Sequence, residues 1–592
     1  MSQSKALPLR RTARGETVDF LLGAALGILF FVALYGISTL RVTYDSWIYN
    51  GYIEEDIIQR YAGWLYFRND AWRWPLTVAE NFSQPLGASI VYTDSFPLWA
   101  VVCKLFAPVL PATFQYIGWS NLVSCALQGG FAMLLVRHFK IGRVLSAVSS
   151  VFFITAPVFV ERLFRHDPLA SHWLILAALL LYFRARESTR FPFWGFWALC
   201  CLAPTVTTYF VPMVYALLAA ALLEYAFRNK TVLRPALWLG ACFAGTLVVA
   251  YAFGILTRGG GGSAAGFGQY SLNLNALVNP TSFDWYAESG AFEWSAFLPV
   301  LPQYHHQYDG FNYLGAGVLL GLCAMVVYGA AKAVLALVRK DGSVFKKARR
   351  FLAGHLWLLL VCLCLTVFAI SNTVTLGEST LFTVSLPAPV LALCGIFRAS
   401  ARMFWPCWYL LVLSVVVWCA RAFKRQWKLL AVLLLLAVQL ADISPALYKK
   451  QEYFAQGPLS RQNEFTTDLW VYMATNYDTV LCLGNLFDYN LASGLIRYNP
   501  EVQTNLIFTN RGTFAVIEAG YGEMQAMLKS GAPLADGVLY LCSDEATYNE
   551  IMTGLNENAR GYRFGHYYGF ANPIEGIPAE GDLPEKLLQR QK

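Results

Sequence analysis

The stretch F-L-L-G-A-A-L-G-I-L-F-F-V-A-L-Y-G-I-S-T-L (20–40) runs for 21 residues without a charge, about what one helix needs to cross a bilayer. It follows a segment carrying Lys5, Arg10, Arg11 and Arg14, and it is too long for the apolar core of a cleaved signal peptide. The reading is an uncleaved first membrane helix, with residues 1–19 in the cytoplasm.

The whole chain has the same character. Of its 592 residues, 57% are hydrophobic and 14% charged, against about 25% charged in a typical soluble protein. With 41 Phe, 32 Tyr and 18 Trp, the chain has more apolar surface than a water-soluble globule can hide, which excludes a soluble enzyme. The net charge of +8 does not mark a nucleic-acid binder, because Lys and Arg fall in short groups between apolar runs rather than on one basic face. Of 13 Cys, all but Cys482 and Cys542 lie in or beside apolar runs and read as small hydrophobes. Those two lie in a polar region, where a disulfide is open to them if that region is outside the cytoplasm.

Positive charge sets the topology. The groups Arg137, Lys140 and Arg143; Arg184, Arg186 and Arg190; Arg228, Lys230 and Arg234; Arg339 to Arg350; and Arg421, Lys424, Arg425 and Lys428 are placed inside. Membrane helices are then expected near 20–40, 114–136, 144–160, 169–184, 191–204, 206–226, 235–256, 313–338, 351–371, 403–421 and 428–445, which makes eleven crossings. The runs 96–111 and 385–397 fit no crossing without moving a basic group outside. Each contains prolines, and both are read as re-entrant or interfacial helices framing an outward cavity.

The membrane domain is expected over 20–446, with long outside loops at 41–113, 257–312 and 372–402. Ile58, Tyr61, Ala62 and Leu65 recur at helical spacing, predicting an amphipathic helix from Glu55 to Phe67 along the membrane surface. Gly259–Gly262 reads as a hinge. Residues 447–592 turn polar, with strand-like runs at Thr479–Leu483 and Gly537–Cys542 and helix-like runs at Glu523–Lys529 and Glu545–Asn558, predicting a small extracytoplasmic α/β domain. The expected fold is an α-helical polytopic membrane protein with that domain appended.

No G-x-x-x-x-G-K-[ST], H-E-x-x-H or G-x-S-x-G occurs, so nucleotide-driven pumps, zincins and α/β-hydrolases lack their signatures. The first outside loop collects ionisable groups: Asp45, Glu54, Glu55, Asp56, Arg60, Arg68, Asp70, Arg73 and Asp94. Most such carboxylates are solvated or paired with a basic neighbour. Asp56 differs in starting the expected helix, where the dipole favours its ionised form and leaves it able to accept a proton.

Arg162, Arg165, His166, Arg398 and Arg402 stand at expected outside ends, against the positive-inside trend. They bind phosphate oxygens, or else Arg162 pairs with Glu161, Arg165 pairs with Asp167, and Arg398 and Arg402 reach lipid head groups. His172 reads as hydrogen-bonded packing. His305 and His306 lack partners at metal-ligand spacing, so no metal site is assigned. Tyr270, Asn273, Asn275 and Asn279 line a sugar or acceptor site or simply order their loop.

The stretches D-I-I-Q-R-Y-A-G-W-L-Y-F-R-N (56–69), Q-P-L-G-A-S-I-V-Y-T-D-S-F-P-L (84–98), R-H-D-P-L-A-S-H-W-L-I-L (165–176), Y-S-L-N-L-N-A-L-V-N-P (270–280), G-F-N-Y-L-G-A-G (310–317) and R-A-S-A-R-M-F-W-P (398–406) resemble a bacterial family of uncharacterised membrane proteins related to the GT-C glycosyltransferases. The similarity runs from about residue 20 to the end of the chain. It implies a multi-pass enzyme of the bacterial cytoplasmic membrane that moves a sugar from a polyprenyl-phosphate carrier to an outside glycan, lipid or polymer acceptor.

The resemblance also implies an acidic base in the first outside loop, a role that falls by position on Asp56, then Asp94, with Glu55 weaker. Arg162, Arg165, His166, Arg402, Tyr270 and Asn273 are the implied substrate contacts. The cofactor is unknown, and no motif calls for a divalent cation. A transporter or flippase for a lipid-linked sugar and a non-catalytic membrane scaffold are the competing classes.

Overall fold

The computed structural model describes residues 13–49, 56–256, 266–283, 291–304, 307–455, 464–509, 515–555 and 559–574. The chain is mostly helical, with small sheets. Among the described residues eight helices are long and apolar enough to cross a membrane, from Arg14–Tyr35 to Gln426–Ala455. A pair, Ser343–Gly354 and Leu356–Ile370, meets the same test together but bends by 68°. Two further apolar helices, Arg143–Ile154 and Phe193–Val206, are shorter. Each of the eleven segments expected from the sequence thus contains a helix.

The first helix, α1 (Ala13–Tyr35), starts earlier than the apolar run because its early carboxylates are neutralised in place. Asp19 is buried between Arg137 and Arg143 at 2.8 and 2.7 Å, and Glu16 reaches Arg184 at 3.0 Å. Two of the basic groups that the sequence put on one side, represented by Arg137 with Arg143 and by Arg184, therefore do meet at one end of the bundle.

The helix α2 (Asp56–Asn69) forms where the amphipathic pattern predicted it, but it does not lie on a surface. Residues Ile57 to Arg68 are all buried. Its polar side chains are spent on backbone carbonyls: Gln59 donates to the Phe508 carbonyl at 2.6 Å, and Arg68 donates to those of Pro111, Ala112 and Leu110. Hydrogen bonding has replaced the water that the pattern seemed to require. The run 96–111 contains the short helix α3 (Pro97–Lys104), and 385–397 contains another, Ala388–Gly395. Both leave apolar side chains exposed, Val102 and Leu105 at the first and Leu393 and Ile396 at the second.

The closest helix pairing is between α1 and α4 (Ile117–His138). Gly23 and Gly27 of α1 face Cys125 and Gly129 of α4 so closely that a Cβ at Gly27 would strike the Cys125 carbonyl, and one at Gly23 the Gly129 carbonyl. Small residues four apart let two backbones touch where no water is available to drive association. From α4 the chain turns through Lys140 into α5 (Arg143–Ile154).

The helix Arg425–Ala455 continues past the expected domain boundary at 446–447, with Pro445 inside it. Beyond it lies the α/β unit. Strand Thr479–Cys482 pairs in parallel with Gln503–Thr504 on one side and Val538–Cys542 on the other, and antiparallel strands Tyr567–Ala571 and Arg560–Phe564 extend the sheet. Cys482 sits opposite Leu541, so Cys542 points to the other face of the sheet. The two thiols belong to separate core clusters and are both free, which corrects the disulfide considered from the sequence.

Gly27→Ala should separate α1 from α4 and cost about 1–3 kcal/mol, the usual penalty for overpacking. Gly240→Ala, where an added Cβ meets nothing within 4 Å, should leave stability unchanged or raise it. Thermal melting of the two variants in detergent checks the contrast.

Candidate functional site

The residues that matter come from four separate segments brought to the end of the bundle opposite Asp19. The α2 helix contributes Asp56 and, one turn on, Arg60. The turn between Pro157 and Pro168 compresses Glu161, Arg162, Arg165, His166 and Asp167 into a few residues, helped by Phe164, whose φ of 62° reverses the chain. That turn is pinned to α4, because the Phe164 N–H donates to Asn121 Oδ1 at 3.2 Å while Asn121 Nδ2 donates to Asp167 at 2.7 Å. The third segment, Gln307–Gly310, supplies Asp309, and the 3-10 turn Ser400–Phe404 supplies Arg402.

All but one of the ion pairs in the cluster join distant segments. Arg162 meets Asp309 at 2.7 Å and Arg402 meets the same carboxylate at 2.6 Å. Arg60 reaches Asp167 at 3.2 Å, and Arg165 pairs with Glu161. The pairings weighed from the sequence, Arg162 with Glu161 and Arg165 with Asp167, are therefore exchanged for others. Arg402 also does not reach for lipid: its guanidinium sits between Asp309 and the Tyr209 ring, 4.5 Å from the ring centre. Arg398 lies 5.6 Å from the Tyr270 ring centre. Lys450 is within electrostatic reach of Glu161 and Arg165, and Asp94 within that of Arg402.

Asp56 lies 3.4 Å from His166 Nε2, with its side chain 23% exposed. Arg162 donates to His166 Nδ1 at 3.3 Å. An imidazole that accepts at Nδ1 carries its proton on Nε2, facing Asp56. Burial, then Arg162, Arg165 and Arg402, hold His166 well below the usual imidazole range, so the ring is neutral. Burial alone would raise Asp309, but Arg402 and Arg162 hold it down to about 2, fully ionised.

The other loop carboxylates have different commitments. Asp45 faces Arg497 at 3.4 Å and accepts from Tyr61 at 3.2 Å, and Asp70 is held by Arg73 at 3.0 Å. Asp94 is exposed in a left-handed turn, φ 54°. Glu54, Glu55, Gly259–Gly262, His305 and His306 lie outside the described residues.

Two sequence candidates differ in what surrounds them. The Tyr270 carbonyl accepts from the Ala401 N–H at 3.2 Å, next to Arg402. Asn273 is a loop brace: its amide donates to Gln307 and to the Gly377 carbonyl, both at 2.8 Å, and its oxygen accepts from the Gly377 N–H. His172 is buried, with Nδ1 2.8 Å from the Tyr409 hydroxyl. Sequence reasoning missed Asp309. Its only signal was a carboxylate just ahead of the G-F-N-Y-L-G-A-G block, in a chain with more outside arginines than nearby acids explained.

A small cavity adjoins the Arg60–Asp167 pair and is walled by Tyr61, Trp64, Phe96 and Tyr116. Among the described residues no three His, Cys, Asp or Glu side chains are grouped as metal ligands.

Residues 24–444 match a family described as a domain of unknown function, DUF6311. The chain belongs to this family. The matched region contains all the ionisable cluster except Lys450 and leaves out the C-terminal α/β unit. No curated protein matches the chain.

Removing one partner of the Arg60–Asp167 pair, both only 3% exposed, leaves a buried charge uncompensated at a cost of about 3–5 kcal/mol. Arg60→Leu should therefore lower the melting temperature strongly, and Asp167→Asn added to it should restore part of the loss.

Because the folded protein keeps His166 neutral, the unfolded chain binds a proton there that the folded chain does not. Stability should be full above about pH 6.5 and fall with decreasing pH. Melting curves across that range should show a shallower acid-side loss in His166→Gln than in wild type.

Proposed function

We propose that the chain is a GT-C-type membrane glycosyltransferase that moves a sugar from a polyprenyl-phosphate carrier to an outside glycan, lipid or polymer acceptor. The reading rests chiefly on one observation: a partly exposed carboxylate, Asp56, stands at a helix N-terminus beside neutral His166 and an arginine pair, the buried Arg162 and the half-buried Arg402. Such an arrangement supplies both requirements of the reaction.

The acceptor hydroxyl gives its proton to Asp56 as its oxygen bonds to the anomeric carbon, and the bond from that carbon to the carrier phosphate oxygen breaks. The helix dipole at the start of α2 favours the ionised Asp56 before the proton arrives. Arg162 and Arg402 receive the negative charge on the departing phosphate, matched to its oxygens by their planar forks. With a single base on one side, transfer inverts the anomeric centre. Arg165 and His166 position this frame, Asp94 acts from the exposed turn near Arg402, and Tyr270 borders the acceptor side. Asn273 serves through the loop it braces.

In this reading the eleven helical segments are crossings of a bacterial cytoplasmic membrane, with the Asp19 end and N-terminus inside. The short helices Pro97–Lys104 and Ala388–Gly395 enter the outer leaflet, and the α/β unit lies outside. A flippase would need charge partway across the bilayer. The cluster at the bundle end favours the enzyme.

The test is transfer by the reconstituted protein given a polyprenyl-phosphate sugar and acceptor. Asp56→Asn should reduce the rate by about 10²–10⁴, the usual contribution of a general base, and Asp94→Asn by less. An undiminished rate in Asp56→Asn removes it from the base role, and carrier movement across the bilayer without sugar transfer would favour the flippase.

A further inference from the structure

We propose that Asp309 is a built-in stand-in for phosphate. In the unliganded protein its carboxylate fills the anion site made by Arg162 and Arg402, and a phosphate ester displaces it. The inference rests on the reading of those two arginines as the carrier-phosphate site and adds how that site is occupied and emptied.

Asp309 is shared by two arginines at 2.7 and 2.6 Å, whereas Glu161 and Asp167 pair with Arg165 and Arg60 respectively. Two guanidiniums from distant segments converging on one small anion form a phosphate-binding geometry. The carboxylate does not use all of it. The Nε–H groups of Arg162 and Arg402 are buried without a hydrogen-bond partner among the described residues, and Arg162 is only 1% exposed. A phosphate has more oxygens to offer those donors than a carboxylate has.

Charge points the same way. Five cations (Arg60, Arg162, Arg165, Arg402 and Lys450) stand among five carboxylates (Asp56, Asp94, Glu161, Asp167 and Asp309) in the described cluster. Adding an anion at the buried centre of a neutral cluster is costly, whereas exchanging one anion for another is not. A sugar phosphodiester carries one negative charge, as the carboxylate does, so the exchange conserves charge. Gln307 is fixed by hydrogen bonds to Ser271 and Thr375 at 2.9 and 2.8 Å, and Asn312 donates to the Gly310 carbonyl at 3.0 Å. The backbone on both sides of Asp309 is therefore anchored, and a rotation of its side chain is the movement required. After transfer, the returning carboxylate competes with the carrier phosphate and promotes its release.

Calorimetric titration of the purified full chain with a short polyprenyl phosphate, and separately with inorganic phosphate, tests the exchange. Asp309→Asn should bind polyprenyl phosphate at least tenfold more tightly than wild type, and adding Arg162→Gln should abolish the gain. Tighter binding of inorganic phosphate as well would make the site one for free phosphate, and tightening confined to the polyprenyl ester would assign it to the carrier. Unchanged or weaker binding of both ligands by Asp309→Asn overturns the proposal.

Infrared difference spectra of wild type do not depend on the variant folding. Polyprenyl phosphate should shift a carboxylate band as a guanidinium partner is lost, and an unchanged carboxylate region overturns the exchange. Neither readout involves sugar transfer. A chain that exchanges anions this way but transfers no sugar would sink the transferase reading and leave this one standing.

Discussion

Charge buried in an apolar bundle has to be matched, since each uncompensated ion costs several kcal/mol. The pair Arg165–Glu161 does that matching within one turn, whereas Arg60–Asp167 and Arg162–Asp309–Arg402 do it across segments far apart in sequence, so these also fix where those segments lie. The turn bearing four of these residues is tied to α4 through Asn121, while the other end of α4 holds Asp19 through Arg137. Asn121 and Arg137 are separated by about 24 Å at 1.5 Å per residue, not far short of the ~30 Å hydrocarbon core of a bilayer. One helix therefore sets the distance between the two charged ends.

The α/β unit takes part in this arrangement. The Phe508 carbonyl accepts from Gln59 and its ring packs at a tilt against Tyr66 and Phe82, Arg497 meets Asp45, and Ser493 meets the Tyr49 hydroxyl at 2.6 Å. Gln84 bonds Gln503 at 2.6 Å. The α2 helix is thus held between the helical bundle and the polar unit, which leaves Asp56, at its start, with little freedom to drift. In the base role proposed for Asp56 such support would matter, because displacements of an ångström are costly to rate.

Helix positions were legible because apolar length and basic punctuation are local properties of the sequence. So was the neighbourhood of the cluster: in a chain this poor in charge, Arg162, Arg165, His166 and Arg402 stood out, and Asp56 announced itself by opening a helix. The pairings were not legible. Which carboxylate faces Arg162 depends on how the 307–310 segment folds over the bundle, and proximity in sequence pointed to Glu161 instead. The α2 helix misled for a related reason. Its polar residues looked like a wetted face, but Gln59, Arg60 and Arg68 satisfy carbonyls and a carboxylate that only the tertiary fold brings near. The thiols of Cys482 and Cys542 were closer in space than their sequence separation suggested, yet strand register put them on opposite sides of a sheet.

The seam between α1 and α4 has a further meaning for biogenesis. Because backbone touches backbone there, the leading helix is not an interchangeable anchor. A generic leucine-rich helix would match its length and apolarity equally well, but its branched side chains would wedge the seam apart. The first helix is thereby constrained twice, once by apolarity and once by fit, and the second constraint applies only after α4 has emerged to meet it.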